Sequence, residues 1–200
     1  MRTLFALFLA FALAACGEKP PPLPHLGPSD LVLAFGDSLT YGTGARPEEA
    51  YPKVLAQLIG RKVVGAGVPG ETTAEGLERL PEVLDEVKPR LMLLCMGGND
   101  MLRKADFAGI EGNLRAMVQL ARAHGAGVVL IGVPMPELFG GPPEFYDRIA
   151  KEFSLPLEKK ILNDVLFDHA LKSDLIHPNA RGYRRFAEAI AGLLHRSGAV

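Results

Sequence analysis

Residues 31–40 read LVLAFGDSLT, an unbroken apolar run that ends in a glycine and a short polar stretch. Five consecutive apolar residues are typical of a strand that is buried on both faces, as in a parallel sheet covered by helices. Gly36 allows the chain to turn sharply where the run ends. The pattern therefore predicts a buried strand with polar side chains, including Ser38, directly after it.

Further apolar runs follow this strand, and amphipathic segments separate them. We predict strands at 62–64, 90–96 and 127–133. Apolar residues recur every three to four positions in the intervening segments. These predict helices at 48–59, 73–87, 107–124, 145–153 and 178–195. Pro81 predicts a kink or break in the second of these helices. A fifth short strand followed by a helix is expected within 155–172. Alternating strands and helices predict an α/β fold, a three-layer α/β/α sandwich around a mostly parallel sheet of about five strands.

The composition places the chain among ordinary globular proteins. It has 200 residues, of which 48% are hydrophobic and 22% charged, and its formal net charge is −1. This length suits a single domain with a substantial core. Without a basic stripe, nucleic acid binding is not expected, and the sequence does not indicate a required protein partner.

The first residues have the pattern of an export signal. Arg2 is followed by an apolar run that is too short to span a membrane, so residues 1–15 are interpreted as a signal peptide. Residues 13–17 read LAACG, which resembles the lipobox of bacterial lipoproteins and implies lipidation of Cys16. An ordinary signal peptide with an incidental cysteine is the alternative.

The expected organisation follows from this signal. Residues 16–29 form a lipidated N-terminus and a proline-rich tether, and residues 30–200 form the folded domain. The protein is therefore expected at a bacterial cell envelope, exported and attached to a membrane through Cys16. The other cysteine, Cys95, lies in an apolar run and is expected to be an inert core residue.

Three polar stretches lie where a site is expected, since sites in parallel sheets form at the carboxyl ends of the strands. Ser38 follows the first strand, Asn99 follows the third, and Asp174 and His177 lie three residues apart near the C-terminus. Each has an ordinary structural explanation: a helix cap, a turn, and a surface pair or half a metal site. Together they supply a nucleophile, an oxyanion donor and a carboxylate–imidazole pair.

The same stretches resemble a known family. GDSLTYG at 36–42, GGND at 97–100 and DLIHPNARGY at 174–183 resemble the first, third and last blocks of the SGNH hydrolase superfamily. The subgroup that the chain looks most like holds small bacterial arylesterases and thioesterase/lysophospholipases. The resemblance implies a flavodoxin-like SGNH hydrolase fold. It also implies hydrolysis of small-molecule esters or thioesters through an acyl-enzyme intermediate, without a metal or organic cofactor.

The resemblance also implies a role for each residue. Ser38 is the nucleophile, His177 the general base and then acid, and Asp174 orients His177. The oxyanion hole consists of the Ser38 N–H, the Gly70 N–H and the Asn99 side chain. Supporting positions are Gly36, Asp37 and Gly98.

The second block departs from the family pattern. Gly65 stands where the family usually has an asparagine, and Pro69 where it has a serine. The sequence therefore does not indicate which hydrogen bonds hold this loop.

Two other functions fit parts of the sequence. Gly65, Gly67 and Gly70 form a G-x-G-x-x-G pattern, which is typical of a dinucleotide-binding turn. Asp85 lies about the right distance away, but inside a helix rather than at the end of the next strand. The second alternative is a binding lipoprotein that retains the fold without turnover.

The loop after the fourth strand also has two interpretations. Phe139, Phe145 and Tyr146 either form a wall of a substrate pocket or cover the core, and the sequence favours neither.

Overall fold

A computed structural model describes residues 19–135 and 141–200. The predicted signal peptide and Cys16 lie outside these residues. The strands form one parallel sheet in the order β2-β1-β3-β4-β5. They are β1 Leu31–Gly36, β2 Lys62–Gly67, β3 Leu91–Cys95, β4 Gly127–Ile131 and β5 Leu157–Glu158. The predicted α/β fold with about five parallel strands is confirmed.

Helices cover both faces of this sheet. They are α1 Ser38–Tyr41, α2 Tyr51–Ile59, α3 Thr73–Val87, α4 Gly98–Leu102, α5 Phe107–Ala123, α6 Phe145–Glu152, α7 Ile161–Phe167 and α8 Ala180–Arg196. Helix α2 packs on α8, and α3 packs on α5, so two helical layers enclose the sheet. Among the described residues, no helix combines the length and apolar character that crossing a membrane requires.

The central strands are buried because helices cover both of their faces. All five residues of β3 are fully buried, as are residues 32–35 of β1. Side chains of a strand point alternately to its two faces, so a strand between two helical layers needs apolar residues at every position. This requirement accounts for the unbroken apolar runs in the sequence.

Strand β2 is longer than predicted. It continues through Gly65 to Gly67 and pairs with β1 up to the Gly36–Gly67 position. A side chain at Gly67 would overlap the backbone of α1 at Tyr41, so this glycine lets α1 lie directly against β2. Two glycines of the G-x-G-x-x-G pattern are thus strand residues. The alternative of a dinucleotide-binding turn is wrong, because that turn requires them between the strand and the helix.

Pro81 does not break α3, which runs as one helix from Thr73 to Val87. Thr72 and Glu75 form a capping box at its start, which satisfies N–H groups that the first turn leaves unpaired. Leu80 and Leu84 on either side of the proline are fully buried. Their packing offsets the hydrogen bond that the proline removes.

The end of the predicted tether packs on the domain. The N–H groups of Leu23 and Leu26 donate to the carbonyl oxygens of Ser197 and Ala199, each at 2.9 Å. Leu26 is fully buried, and Pro24 lies against Gly127 at the start of β4. The folded part of the chain therefore begins several residues before the predicted boundary at residue 30.

This packing makes Leu26 a test of where the fold begins. We expect Leu26→Ala to lower the free energy of unfolding by about 2–5 kcal/mol, because it leaves a cavity in the core. His25→Ala, at the exposed neighbouring position, should change it by less than about 0.5 kcal/mol. Urea denaturation measures both, and equal midpoints for the two variants would contradict the docking of this segment.

Candidate active site

The position of Ser38 is set by the tight turn at the end of β1. Asp37 caps α1, because its Oδ1 accepts a hydrogen bond of 3.0 Å from the Leu39 N–H. Gly36 has no space for a side chain, since Thr40 and the carbonyl oxygen of Cys95 occupy it. The turn therefore places Ser38 as the first residue of α1, at the carboxyl end of a central strand.

His177 lies on a closed loop that is held by its own backbone. Lys172 and Pro178 form an antiparallel bridge, and Ser173 donates to the His177 carbonyl oxygen from both its N–H and its hydroxyl. Asn179 caps α8, and its side-chain amide donates to the Lys172 carbonyl oxygen at 3.2 Å. These bonds fix both ends of the segment that carries Asp174 and His177.

The three predicted residues are brought together in one line. Ser38 Oγ lies 3.0 Å from His177 Nε2, and Asp174 Oδ2 lies 2.8 Å from His177 Nδ1. Asp174 Oδ1 also accepts from the N–H groups of Ile176 and His177, each at 2.9 Å. The carboxylate thus favours the tautomer that carries its proton on Nδ1, which leaves Nε2 free to accept a proton.

The bonds to Asp174 also determine its ionisation. Burial alone would raise the pKa of this carboxyl group. The N–H groups of Ile176 and His177 and the imidazole ring outweigh that effect and hold the pKa below its usual value. Asp174 is therefore ionised at neutral pH and favours a positive charge on His177 when the ring takes up a proton.

Asn99 lines the same cavity as Ser38, but both of its amide hydrogens are engaged. Its Nδ2 donates to Asp37 Oδ2 at 3.2 Å and to the Glu71 carbonyl oxygen at 3.0 Å. Gly98, before it, begins α4 and lies close to the Asp37 carboxyl group. Asn99 therefore links the turn after β1 to the loop after β2.

Asp37, the residue before Ser38, is buried, and this burial raises its pKa to about 7. The N–H groups of Leu39 and of Asp37 itself lower the pKa, and the nearby charges of Glu71 and Asp100 raise it further. Because the folded pKa lies above the unfolded value, ionising Asp37 costs stability as the pH rises from about 4 to about 7.

The loop of the second block is braced by its own turn and by two arginines. The Glu71 N–H donates to the Val68 carbonyl oxygen, with Pro69 in the second position and Gly70, at a φ of +82°, in the third. This is the preferred sequence of a type II turn. Arg79 forms a 2.6 Å ion pair with the buried Glu71. A second arginine, Arg103, donates to the Gly70 carbonyl oxygen at 2.9 Å.

A cavity of about 400 Å³ opens beside Ser38. Its polar end has Ser38, Asn99 and His177, and most of its remaining wall is apolar. The other lining residues are Asp37, Leu39, Gly98, Leu102, Val133, Pro134, Met135, Leu166, Phe167, Lys172, Leu175 and Ile176. Gly70 does not line the cavity. The site therefore combines a reactive polar end with space for an apolar group.

The sequence did not decide whether three aromatic residues form a pocket wall or cover the core, and two of them belong to the core. Phe145 and Tyr146 are fully buried, and Tyr146 donates from its hydroxyl to the Met96 carbonyl oxygen. Phe139 lies outside the described residues. The apolar wall comes instead from the segment after β4, from α7 and from the His177 loop. Sequence reasoning missed the residues after β4 and in α7 because none of them belongs to a motif. Leu175 and Ile176 lie within the last block, but the motif gives no sign that their side chains form a wall.

Comparisons with known proteins agree with the geometry. The GDSL-like lipase/acylhydrolase family matches residues 34–185. Thioesterase 1/protease 1/lysophospholipase L1 of Escherichia coli K12 is 33% identical over 184 residues, 88% of this chain and 82% of that protein. The arylesterase of Vibrio mimicus is 30% identical over 202 residues, 96% of each chain. The crystal structure of TesA has a TM-score of 0.74 at 30% identity, covering 82% of this chain and 98% of that chain. The predicted family resemblance is confirmed.

The closed His177 loop can be tested at Gly44, which has a φ of +95° and packs against the loop. In Gly44→Ala, the new methyl group would overlap Ser173 Oγ and the Pro178 carbonyl oxygen. We expect ester hydrolysis to fall about 10- to 100-fold, because small displacements of reacting groups have effects of this size.

Gly125→Ala is the matched control. Gly125 also has a positive φ, +79°, but nothing lies within 4 Å of the position of a side chain. Both substitutions strain the backbone, because both positions have a positive φ. Circular dichroism should show that both variants are folded, and only Gly44→Ala should lose turnover. Wild-type turnover of Gly44→Ala would show that the loop does not depend on this contact.

Proposed function

We propose, because the chain belongs to the GDSL-like lipase/acylhydrolase family, that Ser38, His177 and Asp174 form its hydrolytic centre. The chain is an ester hydrolase, in agreement with the thioesterase/lysophospholipase and arylesterase to which it is similar. The observation that carries the residue assignment is the 3.0 Å contact between Ser38 Oγ and His177 Nε2, on a ring that Asp174 holds from the other side.

The first half of the reaction forms an acyl-enzyme. Ser38 Oγ attacks the carbonyl carbon of the ester or thioester while His177 Nε2 takes up the hydroxyl proton. Asp174 stabilises the imidazolium that results. His177 then gives the proton to the leaving alcohol or thiol as the bond to the acyl carbon breaks. Ser38 is left esterified with the acyl group.

The second half repeats these steps with water. His177 takes a proton from water, whose oxygen attacks the acyl carbon, and then returns that proton to Ser38 Oγ as the acid leaves. Each step uses only water and groups of this chain.

The negative oxygen of each tetrahedral intermediate needs N–H donors. We assign this role to the N–H of Ser38 and the side chain of Asn99, both of which line the cavity. The N–H of Gly70 is added on the family resemblance alone, because Gly70 lies outside the lining. Because Asn99 already donates to Asp37 and Glu71, one of these bonds has to be shared or released when the oxyanion forms. Loss of one such donor in other enzymes lowers turnover about 100- to 1000-fold.

The decisive experiment is hydrolysis of p-nitrophenyl butyrate by Ser38→Ala. We expect turnover to fall by at least about 10⁴-fold, because the nucleophile is lost while the fold remains. Ser29→Ala, at an exposed position, should match wild type. Equal background rates for wild type and Ser38→Ala would favour the alternative of a binding lipoprotein without turnover.

We also propose that the protein is exported and anchored to a membrane of the bacterial cell envelope through lipid on Cys16. The support is the lipobox-like LAACG at residues 13–17. The described chain joins the domain through the packed segment from Leu23 to Leu26, where Pro24 lies against Gly127 at the amino end of β4. The cavity beside Ser38 lies at the carboxyl ends of the strands, at the other edge of the sheet from this segment.

Lipid labelling tests this proposal. In bacteria given alkyne-labelled palmitate, we expect wild type to carry the label and to sediment with membranes, whereas Cys16→Ala does neither. Cys95→Ala is the control, because Cys95 is buried in the core and should not accept lipid. Persistent labelling and membrane association of Cys16→Ala would exclude the anchor.

A further inference from the structure

One charged side chain in the cavity has no place in the mechanism. Of the lining residues that the structure describes, only Asp37, Lys172 and His177 are ionisable. His177 is assigned to proton transfer, and the Asp37 carboxyl group is buried and bonded to Leu39 and Asn99. Lys172 therefore stands alone as a cation in a wall that is otherwise largely apolar.

Backbone hydrogen bonds hold Lys172 in place, so the point at which its side chain leaves the loop is fixed. Lys172 forms the antiparallel bridge with Pro178, and its carbonyl oxygen accepts from Asn179 Nδ2. The residue is half-buried, and it lies five positions before His177 on the loop that places the imidazole. Lys172 and the residues of the proposed hydrolytic centre line the same cavity.

The Lys172 ammonium group is also available to a ligand. Within residues 19–135 and 141–200, the ion pairs do not include Lys172. Apolar walls lower the local dielectric constant, which strengthens attraction between the ammonium group and an anion that enters the cavity. The neighbouring apolar residues, among them Leu166 and Ile176, suit a hydrocarbon portion of the same molecule.

We propose that Lys172 binds an anionic group of the substrate. The preferred substrates are then esters or thioesters that join a short apolar portion to a carboxylate or a phosphate. This inference rests on the proposed hydrolytic centre and adds to it a residue that selects substrates by charge.

The test compares matched substrates in wild type and Lys172→Met. One pair is p-nitrophenyl butyrate and mono-p-nitrophenyl glutarate, in which the acyl chain gains a carboxylate. The other pair is 1-butyrylglycerol and its 3-phosphate, in which the leaving group gains the charge. We expect Lys172→Met to lower kcat/KM about 5- to 30-fold for at least one anionic member, mainly through KM. The pair that responds identifies whether the acyl or the alcohol portion carries the anion.

Salt provides a second readout that a structural role would not change. Raising the ionic strength from 0.05 to about 0.5 M should reduce the wild-type preference for the anionic substrate, because salt screens the attraction. The preference of Lys172→Met should stay unchanged by salt. Lys172→Arg, which keeps the charge, should retain most of the preference.

The controls separate this proposal from the proposed function. Lys53→Met, at an exposed position away from the cavity, should behave as wild type. If Lys172→Met lowers the neutral and anionic rates equally, or leaves both anionic rates unchanged, selection by Lys172 is refuted. Failure of the hydrolytic centre would appear differently, as hydrolysis of p-nitrophenyl butyrate that does not depend on Ser38.

Discussion

The site depends on a hydrogen bond between residues that are 139 positions apart, Ser38 at the end of β1 and His177 before α8. Neither local segment can create this contact alone, so the docking of α8 has to maintain it. Tyr183 of α8 donates to the Thr43 carbonyl oxygen at 2.8 Å, just after α1. The ring of Phe186 lies 4.3 Å from that of Tyr51 in α2. Because these contacts join α8 to the segment after Ser38, core packing helps to set the distance between Ser38 and His177.

A second constraint is electrostatic, since two carboxyl groups that act on each other are buried near the site. Asp37 and Glu71 are both buried, and burial disfavours ionisation unless partners compensate. Glu71 has a full partner in Arg79, whose guanidinium group also lies over the Phe35 ring. Asp37 has only N–H donors, which do not outweigh the effect of burial, so its pKa is raised to about 7. Asn99 bonds to both the Asp37 carboxyl group and the Glu71 backbone, so the position of its side chain depends on both buried acids.

The sequence predicts features that repeat a local pattern or match a motif. Periodicity revealed the sheet and the long helices, because burial on one or two faces dictates where apolar residues recur. Helices α1 and α4 have four and five residues, which is too short for a periodic pattern. The extension of β2 through Gly67 was missed because glycine is a poor strand residue, and here its use depends on the approach of α1. Lys172 and its neighbours Leu175 and Ile176 meet the wall residues after β4 and in α7 only in three dimensions, so no local signal could identify the cavity.

The second block shows how a departure from a family pattern can leave the local structure intact. In the family an asparagine and a serine are usual where this chain has Gly65 and Pro69. Here the loop is held by other means. Pro69 has a fixed φ that suits the second position of a type II turn, and Gly70 supplies the positive φ of the third. The side chain of Arg79 adds a hydrogen bond to the Ala66 carbonyl oxygen. The turn geometry and the Arg79–Glu71 ion pair thus hold this loop without the polar side chains that are usual in the family. Glycine at position 65 and proline at position 69 are compatible with this arrangement.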